Sequence, residues 1–186
     1  MRVFLPVVCL LLTLTAGCSE KDNAPVAAAD RNEPGFDPMA FFAGHTRSWG
    51  VIENRSGAPT ERIVTNGVGV LDGNDQLRMV QHLSFQDGTI QERDWVLWRS
   101  GPGRFDATAN DMVGTAEGSV DGRTFYWQWV LARSPGHPLM NVTMRQWMYR
   151  MDDGSVTVRT TVSKFGIIVA EVTEQFTRPA GPVTPS

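Results

Sequence analysis

The chain has 186 residues, 41% of them hydrophobic and 20% charged, with a formal net charge of −3. That length supports one domain with a sizeable core, and the scattered arginines and slight acidity exclude the basic stripe of a nucleic-acid binder. Both cysteines, Cys9 and Cys18, fall in the first eighteen residues, so the remainder holds no disulfide framework, zinc–cysteine site or cysteine nucleophile, which suits an oxidising compartment.

Met1-Arg2 begins the chain with a positive charge, and Val3 to Leu14 is an apolar run broken by Pro6 and Thr13. A charged start, a short apolar region and small residues before a cut form a secretory signal. The run is shorter than the roughly 20 residues of a spanning helix. Thr15-Ala16-Gly17-Cys18 reads as a lipobox. Residues 1–17 are therefore expected to be a lipoprotein signal peptide, with Cys18 as the lipidated residue; plain secretion is the alternative. Two or more acyl chains hold a protein stably on a bilayer. Ser19, where an aspartate often marks inner-membrane retention, points to the outer membrane, facing the periplasm. Residues 18–37 read as a tether, polar and alanine-rich with Pro25 and Pro34, spanning roughly 25 Å on average. Residues 179–186 read as a loose tail.

Residues 38–178 show strand after strand. Arg47–Asn54, Glu61–Leu71, Gln76–Phe85, Thr89–Arg99, Arg104–Ala109, Thr115–Val120, Arg123–Arg133, Leu139–Met151, Ser155–Ser163 and Gly166–Thr177 all read as extended. Turn signals separate them, among them Asp87-Gly88, Asp121-Gly122 and Asp152-Asp153-Gly154. Phe36–Ala43 fits one short helical turn. So many strands joined by tight turns imply an all-β antiparallel up-and-down barrel of about eight to ten strands, lipocalin-like, since closure removes the sheet edges. An open or sandwiched sheet is the alternative. A barrel of that size holds side chains or one small ligand.

Several motifs then fall in order: Phe41-Phe42-Ala43-Gly44, Trp49-Gly50, Arg93-Asp94-Trp95, Asp111-Met112-Val113-Gly114-Thr115-Ala116-Glu117-Gly118, Trp147-Met148-Tyr149, Lys164-Phe165-Gly166 and Glu171-Val172-Thr173. Together they resemble the bacterial lipoprotein family catalogued as domain of unknown function 3833, over roughly residues 36 to 178. The resemblance implies a lipoprotein with a lipocalin-like barrel and brings no established activity. Gln146 stands where that family usually has aspartate before Trp-Met-Tyr.

Strand parity selects candidate site residues, because alternate side chains face opposite sides. Phe125, Trp127, Trp129 and Leu131 share a face that should point inward. Arg93 shares a face with Trp95 and Leu97. A guanidinium beside an indole inside a barrel can hold a fatty-acid carboxylate; the alternative is an ion pair with a neighbouring acid. Met140, Val142, Met144 and Met148 align with Gln146, whereas Trp147 and Tyr149 align with Arg145 and Thr143, so this strand has two partly apolar faces. The second face calls for cover by a helix, the tether or another protein. The ligand-binding candidates are Arg93, Trp95, Trp127, Trp129 and Arg145; Arg145 alternatively packs on an aromatic face.

Asp111 reads as a turn former, and Glu171 as solvent-facing or paired. His82 falls on the outward parity, and dispersed His45, His82 and His137 make no metal site. Gly114, Gly118 and Gly122 are expected at strand bends. No nucleophile elbow, P-loop or dinucleotide fingerprint occurs, so no catalytic residue and no cofactor is assigned. The expected function is a lipid-anchored, periplasm-facing lipoprotein binding a lipid or other small hydrophobic ligand. The alternative is a non-enzymatic envelope interaction module with a filled barrel. The expected partners are the bilayer through Cys18, a fatty acid or lipid, and an envelope protein.

Overall fold

The computed structural model describes residues 35–134 and 136–179. The expected signal peptide, lipidated Cys18, most of the tether and the tail from Ala180 lie outside the described residues. A five-residue helix, α1 (Pro38–Phe42), precedes ten antiparallel strands. These are β1 (Gly44–Asn54), β2 (Pro59–Leu71), β3 (Gln76–Phe85), β4 (Ile90–Gly101), β5 (Arg104–Ala109), β6 (Met112–Asp121), β7 (Thr124–Leu131), β8 (Val142–Arg150), β9 (Val156–Lys164) and β10 (Ile167–Thr177). Each pairs with its sequence neighbour and β1 pairs with β10, so the sheet closes into an up-and-down barrel. The open or sandwiched sheet is thereby excluded.

Alternation follows the sequence. In β3, Leu77, Met79, Gln81 and Leu83 are buried while Arg78, Val80 and His82 are exposed. The outer faces carry Arg62, Arg78, Glu92, Asp94 and Glu117 along the strands. Charges at mid-strand make this a water-facing exterior and not the apolar band of a membrane-spanning barrel. Among the described residues no helix is long and apolar enough to cross a membrane.

The two ends of the barrel differ. At the end where β1 starts and β10 finishes, α1 closes the interior. Asp37 caps it: its Oδ1 accepts from the Met39 and Ala40 amides, and its Oδ2 accepts from Arg99 Nη2 at 2.8 Å. Phe36, Met39, Phe41 and Phe42 are buried there. Phe42 meets Phe176 edge-on at 5.6 Å, and Phe36 meets Phe125 at 6.4 Å. The fold therefore begins before residue 38: Phe36, expected in the tether, belongs to the core, and its amide donates to the Gly122 carbonyl at 2.8 Å.

Gly69 explains how close the plug sits. A Cβ on Gly69 would lie 2.1 Å from the Phe42 carbonyl oxygen, so no larger residue fits under α1. Gly118 does the same for an aromatic ring, since a Cβ there would be 2.6 Å from the Phe125 ring. Of the three spaced glycines, Gly114 stands beside a break in the β6–β7 register, Gly118 clears space for Phe125, and Gly122 turns the hairpin.

One expected strand is shorter than its sequence suggested. Leu139–Met151 was expected to be extended throughout, but Pro138–Met140 is a 3₁₀ turn and β8 starts at Val142. Pro138 has no N–H for the ladder and fixes φ. Met140 is consequently exposed rather than aligned inward with Val142 and Met144.

Candidate functional site

The interior is partly hollow. A cavity of about 450 Å³ runs from α1 to the opposite rim, where Glu61, Asp87, Thr89 and Arg133 border it. That volume is in the range of small-molecule sites.

Its deep wall is aromatic. Trp95 stacks on Trp127 at 4.7 Å and meets Trp129 edge-on at 5.6 Å. Met79, Met144, Met148 and Ile63 continue the apolar lining. Two glutamines anchor the indoles. Trp95 Nε1 donates to Gln81 Oε1 at 3.0 Å, and Trp127 Nε1 donates to Gln146 Oε1 at 2.6 Å. Gln146 Nε2 in turn donates to Thr160 Oγ1 at 2.7 Å. Direct register explains this belt, since Trp127, Gln146 and Thr160 stand opposite one another on β7, β8 and β9. Gln146 is thus a buried bridge that both accepts and donates. Trp129 Nε1 differs: it is buried with no hydrogen-bond partner, and an unpaired buried donor in a cavity wall costs stability.

The polar layer centres on Arg93 and Glu174. Arg93 lines the cavity and Nε donates to Asp111 Oδ2 at 2.7 Å. The β4–β5 register pairs Trp95 with Ala109; continued two residues, it sets Arg93 opposite Asp111. The ion-pair reading of Arg93 is the observed one. Asp111, expected to act as a turn former, does sit in the turn before β6, but its carboxylate reaches inward to Arg93. The carboxylate clamp therefore has one edge of its guanidinium already occupied.

Glu174 lies on the inward face of β10 with Ala170, Val172 and Phe176, all lining the cavity. Ser48 Oγ donates to its Oε1 at 2.8 Å and Thr65 Oγ1 donates to the same oxygen at 3.2 Å. Gly50 stands opposite it on β1, where a Cβ would come 2.5 Å from Glu174 Cγ. The carboxyl is surrounded by protein, and loss of hydration pushes its pKa above the usual carboxylate range, against the opposing pull of Ser48, Thr65 and the Arg93 charge. Glu174 nonetheless retains surface accessibility, because the hollow interior lies beside it. The neutral acid can donate a proton to a guest as well as accept from one.

Sequence reasoning selected Arg93, Trp95, Trp127 and Trp129, and all four line this cavity. Arg145 does not. It faces outward opposite Gln128 and Thr161, on the parity of Trp147. There Tyr126 packs on Trp147 at 5.1 Å, and the guanidinium over Trp147 belongs to Arg159, 5.9 Å from the ring centre. A cross-strand ladder of Tyr126, Trp147 and Arg159 half-covers that second apolar face. Arg159 continues the ladder to Glu171 at 3.1 Å, the paired alternative for that acid. His82 faces solvent beside Glu92 at 3.0 Å. Among the described residues no cluster of histidine and acidic side chains could hold a metal ion.

Glu174, Gln81, Ser48 and Thr65 were missed. Glu174 shares parity with Val172 and Phe176, so the signal was an acid inside an apolar set.

The family model described as "Protein of unknown function (DUF3833)" matches residues 12–178. No curated protein matches the chain in sequence. Among solved structures, the barrel is similar to the S-type phycobiliprotein lyase CPES from Guillardia theta, with a TM-score of 0.60 at 9% identity, covering 77% of this chain and 92% of that one. It is also similar to Rv2717c from M. tuberculosis, with a TM-score of 0.57 at 13% identity, covering 78% of this chain and 99% of that one. At such identities the likeness establishes the lipocalin-like fold alone.

Proposed function

The chain belongs to the family described as protein of unknown function (DUF3833), and from that premise, which supplies no activity, we propose that it is a lipid-anchored envelope protein whose barrel carries one acyl lipid or similar amphiphile. The observation that carries this reading is the hollow, two-toned interior. Aromatic, methionine and aliphatic side chains make up most of the lining, while Arg93, Glu174, Gln81 and Thr65 gather in one polar zone. Methionine adapts to variable guests. The zone suits a head group that is neutral or hydrogen-bonding, because Asp111 already balances Arg93 and burial favours uncharged Glu174. A hydroxyl, an ester or a protonated carboxyl fits it better than a free carboxylate. The cavity also weighs against the alternative of a module with a filled barrel.

The lipobox at Cys18 supports anchorage, and Ser19 supports the outer membrane. The neighbour named a phycobiliprotein lyase shares the fold, and its activity is not carried across at 9% identity. The Ser48 and Thr65 hydroxyls meet a carboxyl whose burial favours its neutral, non-basic form, which supports a binding role over an enzymatic one.

The test is titration of the full chain, extracted in mild detergent, with a fluorescent acyl probe. Saturable one-to-one binding is expected. Met144→Trp, which fills the cavity from β8, should weaken it by at least about tenfold with an unchanged far-ultraviolet spectrum. Binding that ignores Met144→Trp in a folded protein would place the probe elsewhere and overturn the reading. Separately, the mature parent should carry the added mass of an acylated cysteine and Cys18→Ser should not; a parent without that mass would remove the lipid anchor.

A further inference from the structure

The rim opposite α1 carries side chains that the ligand cavity does not use. Phe165 is 80% exposed, Leu139 74%, and Ile167, Met140 and Val113 are largely exposed as well. All five stand on loops or strand ends at the mouth, on the consecutive strands β6 to β10. Isolated exposed apolar residues are ordinary, but a cluster at one rim calls for an explanation.

Phe165 adds an independent observation. It forms the β9–β10 turn with Gly166, and both have positive φ, 52° and 79°. A turn with two left-handed residues favours Asn-Gly, and a bulky residue there is strained. Placing phenylalanine at that position costs stability and leaves the ring in water. Strain at such a site points to a role outside the fold.

The charges around this arc identify the occupant. Between Ala132 and Val142, and between Lys164 and Ala170, the sequence has no acidic residue, while it has Arg133 and Lys164, and the acid beside Val113, Asp111, is paired with Arg93. The Lys164 ammonium sits 5.7 Å from the Phe165 ring centre. Exposed apolar tips flanked by cations match the boundary of an anionic bilayer, where the tips enter the acyl layer and the cations meet head groups.

We propose that this rim docks on the membrane surface with the barrel mouth facing the lipid. The reach permits it. The chain enters the fold at the α1 end, where Phe36 is fixed to Gly122, so the mouth faces the bilayer only if the preceding segment spans the barrel height. Strands of this length at the usual tilt give a height of about 27 Å. The segment from Cys18 to Gly35 reaches at most about 58 Å when extended. Docking rests on the rim residues and stands whether or not a ligand occupies the cavity.

The test uses the full chain with Cys18→Ser, so that no acyl anchor contributes, and vesicles of phosphatidylethanolamine with phosphatidylglycerol. Phe165→Asn together with Leu139→Ser should lower vesicle affinity by at least about tenfold, with a melting temperature equal to or above the parent because Asn suits the turn. In a Cys9→Ser, Cys18→Ser background, an environment-sensitive dye at Phe165→Cys should shift to the blue on vesicles, and one at Met151→Cys, at the plugged end, should not. Unchanged affinity in the double variant, or a shift at Met151→Cys alone, would overturn the proposal. So would loss of an envelope protein partner in the variant without any vesicle binding by the parent.

Discussion

The two ends of this barrel are built from similar residue types to opposite effect. At the α1 end, aromatic side chains turn inward, interlock edge-to-face and are sealed by glycines that admit no Cβ. At the mouth, apolar side chains turn outward, and the interior beside them is left hollow. Burial yields stability only where the chain packs against itself. The plugged end is therefore where the fold is held, and the hollow interior and the mouth are where stability is given up, for an unpaired indole donor, a buried acid and the exposed Phe165 ring. The contrast suggests what substitutions should do in each region.

The largest expected effect lies in the plug. Phe42→Ala removes a ring packed on both Phe41 and Phe176 and should cost about 3–5 kcal/mol, read from urea unfolding. A loss below about 1 kcal/mol would mean that α1 is a dispensable lid.

Next comes the ion pair below the mouth. Asp111→Ala leaves the partly buried Arg93 guanidinium without its partner at Nε and should cost about 1–3 kcal/mol. Restoration of stability by the double change Arg93→Met with Asp111→Ala would confirm that the cost is an unpaired charge.

Gln146→Leu is expected to be milder. It orphans Trp127 Nε1 and Thr160 Oγ1 at about 1–2 kcal/mol, with a changed tryptophan emission. Gln146→Asp should keep an acceptor for Trp127 and lose less.

How far these residues could be read from sequence differs between the two halves. Period-two alternation exposed the inward set on β4 and β7, because Trp95, Trp127 and Trp129 are large and fall with Leu97 and Phe125 on single buried faces. The same rule placed Arg145 on the parity of Trp147, and its indole neighbour wrongly attracted it to the ligand set. Glu174 was hidden because an acid within an apolar face reads as an exception, and a break in the β9–β10 register between Ile168 and Ala170 blurs the alternation just before it. Asp111 joins Arg93 only through the register of β4 and β5, which no local pattern states. The plug was legible as a short helical turn, but not what it covers, since five residues carry too little periodicity to name a partner.

The smallest effect at neutral pH concerns Glu174. Its folded pKa is raised above the ordinary 4.5. Between that value and the raised one, the folded state holds a proton that the unfolded state has lost, so stability should fall as pH rises through this window. Below the ordinary value both states are protonated and the contribution is constant. Glu174→Gln should flatten the fall. Asp72, Asp87 and Asp153 have pKa values lowered by the turn amides of Asn74 and Thr89 and by the Ser155 hydroxyl, respectively, so their contribution disappears only at more acidic pH. Equal pH slopes for the parent and Glu174→Gln would contradict the burial of a neutral acid.

The central claim is that the hollow half of the barrel holds an amphiphile. Native mass spectrometry of the full-length protein, released from membranes in mild detergent, tests it most directly. The account predicts a noncovalently bound mass of one acyl lipid per chain that is absent from Met144→Trp. A parent protein with no noncovalently bound lipid, and taking up no acyl lipid when supplied, would contradict it.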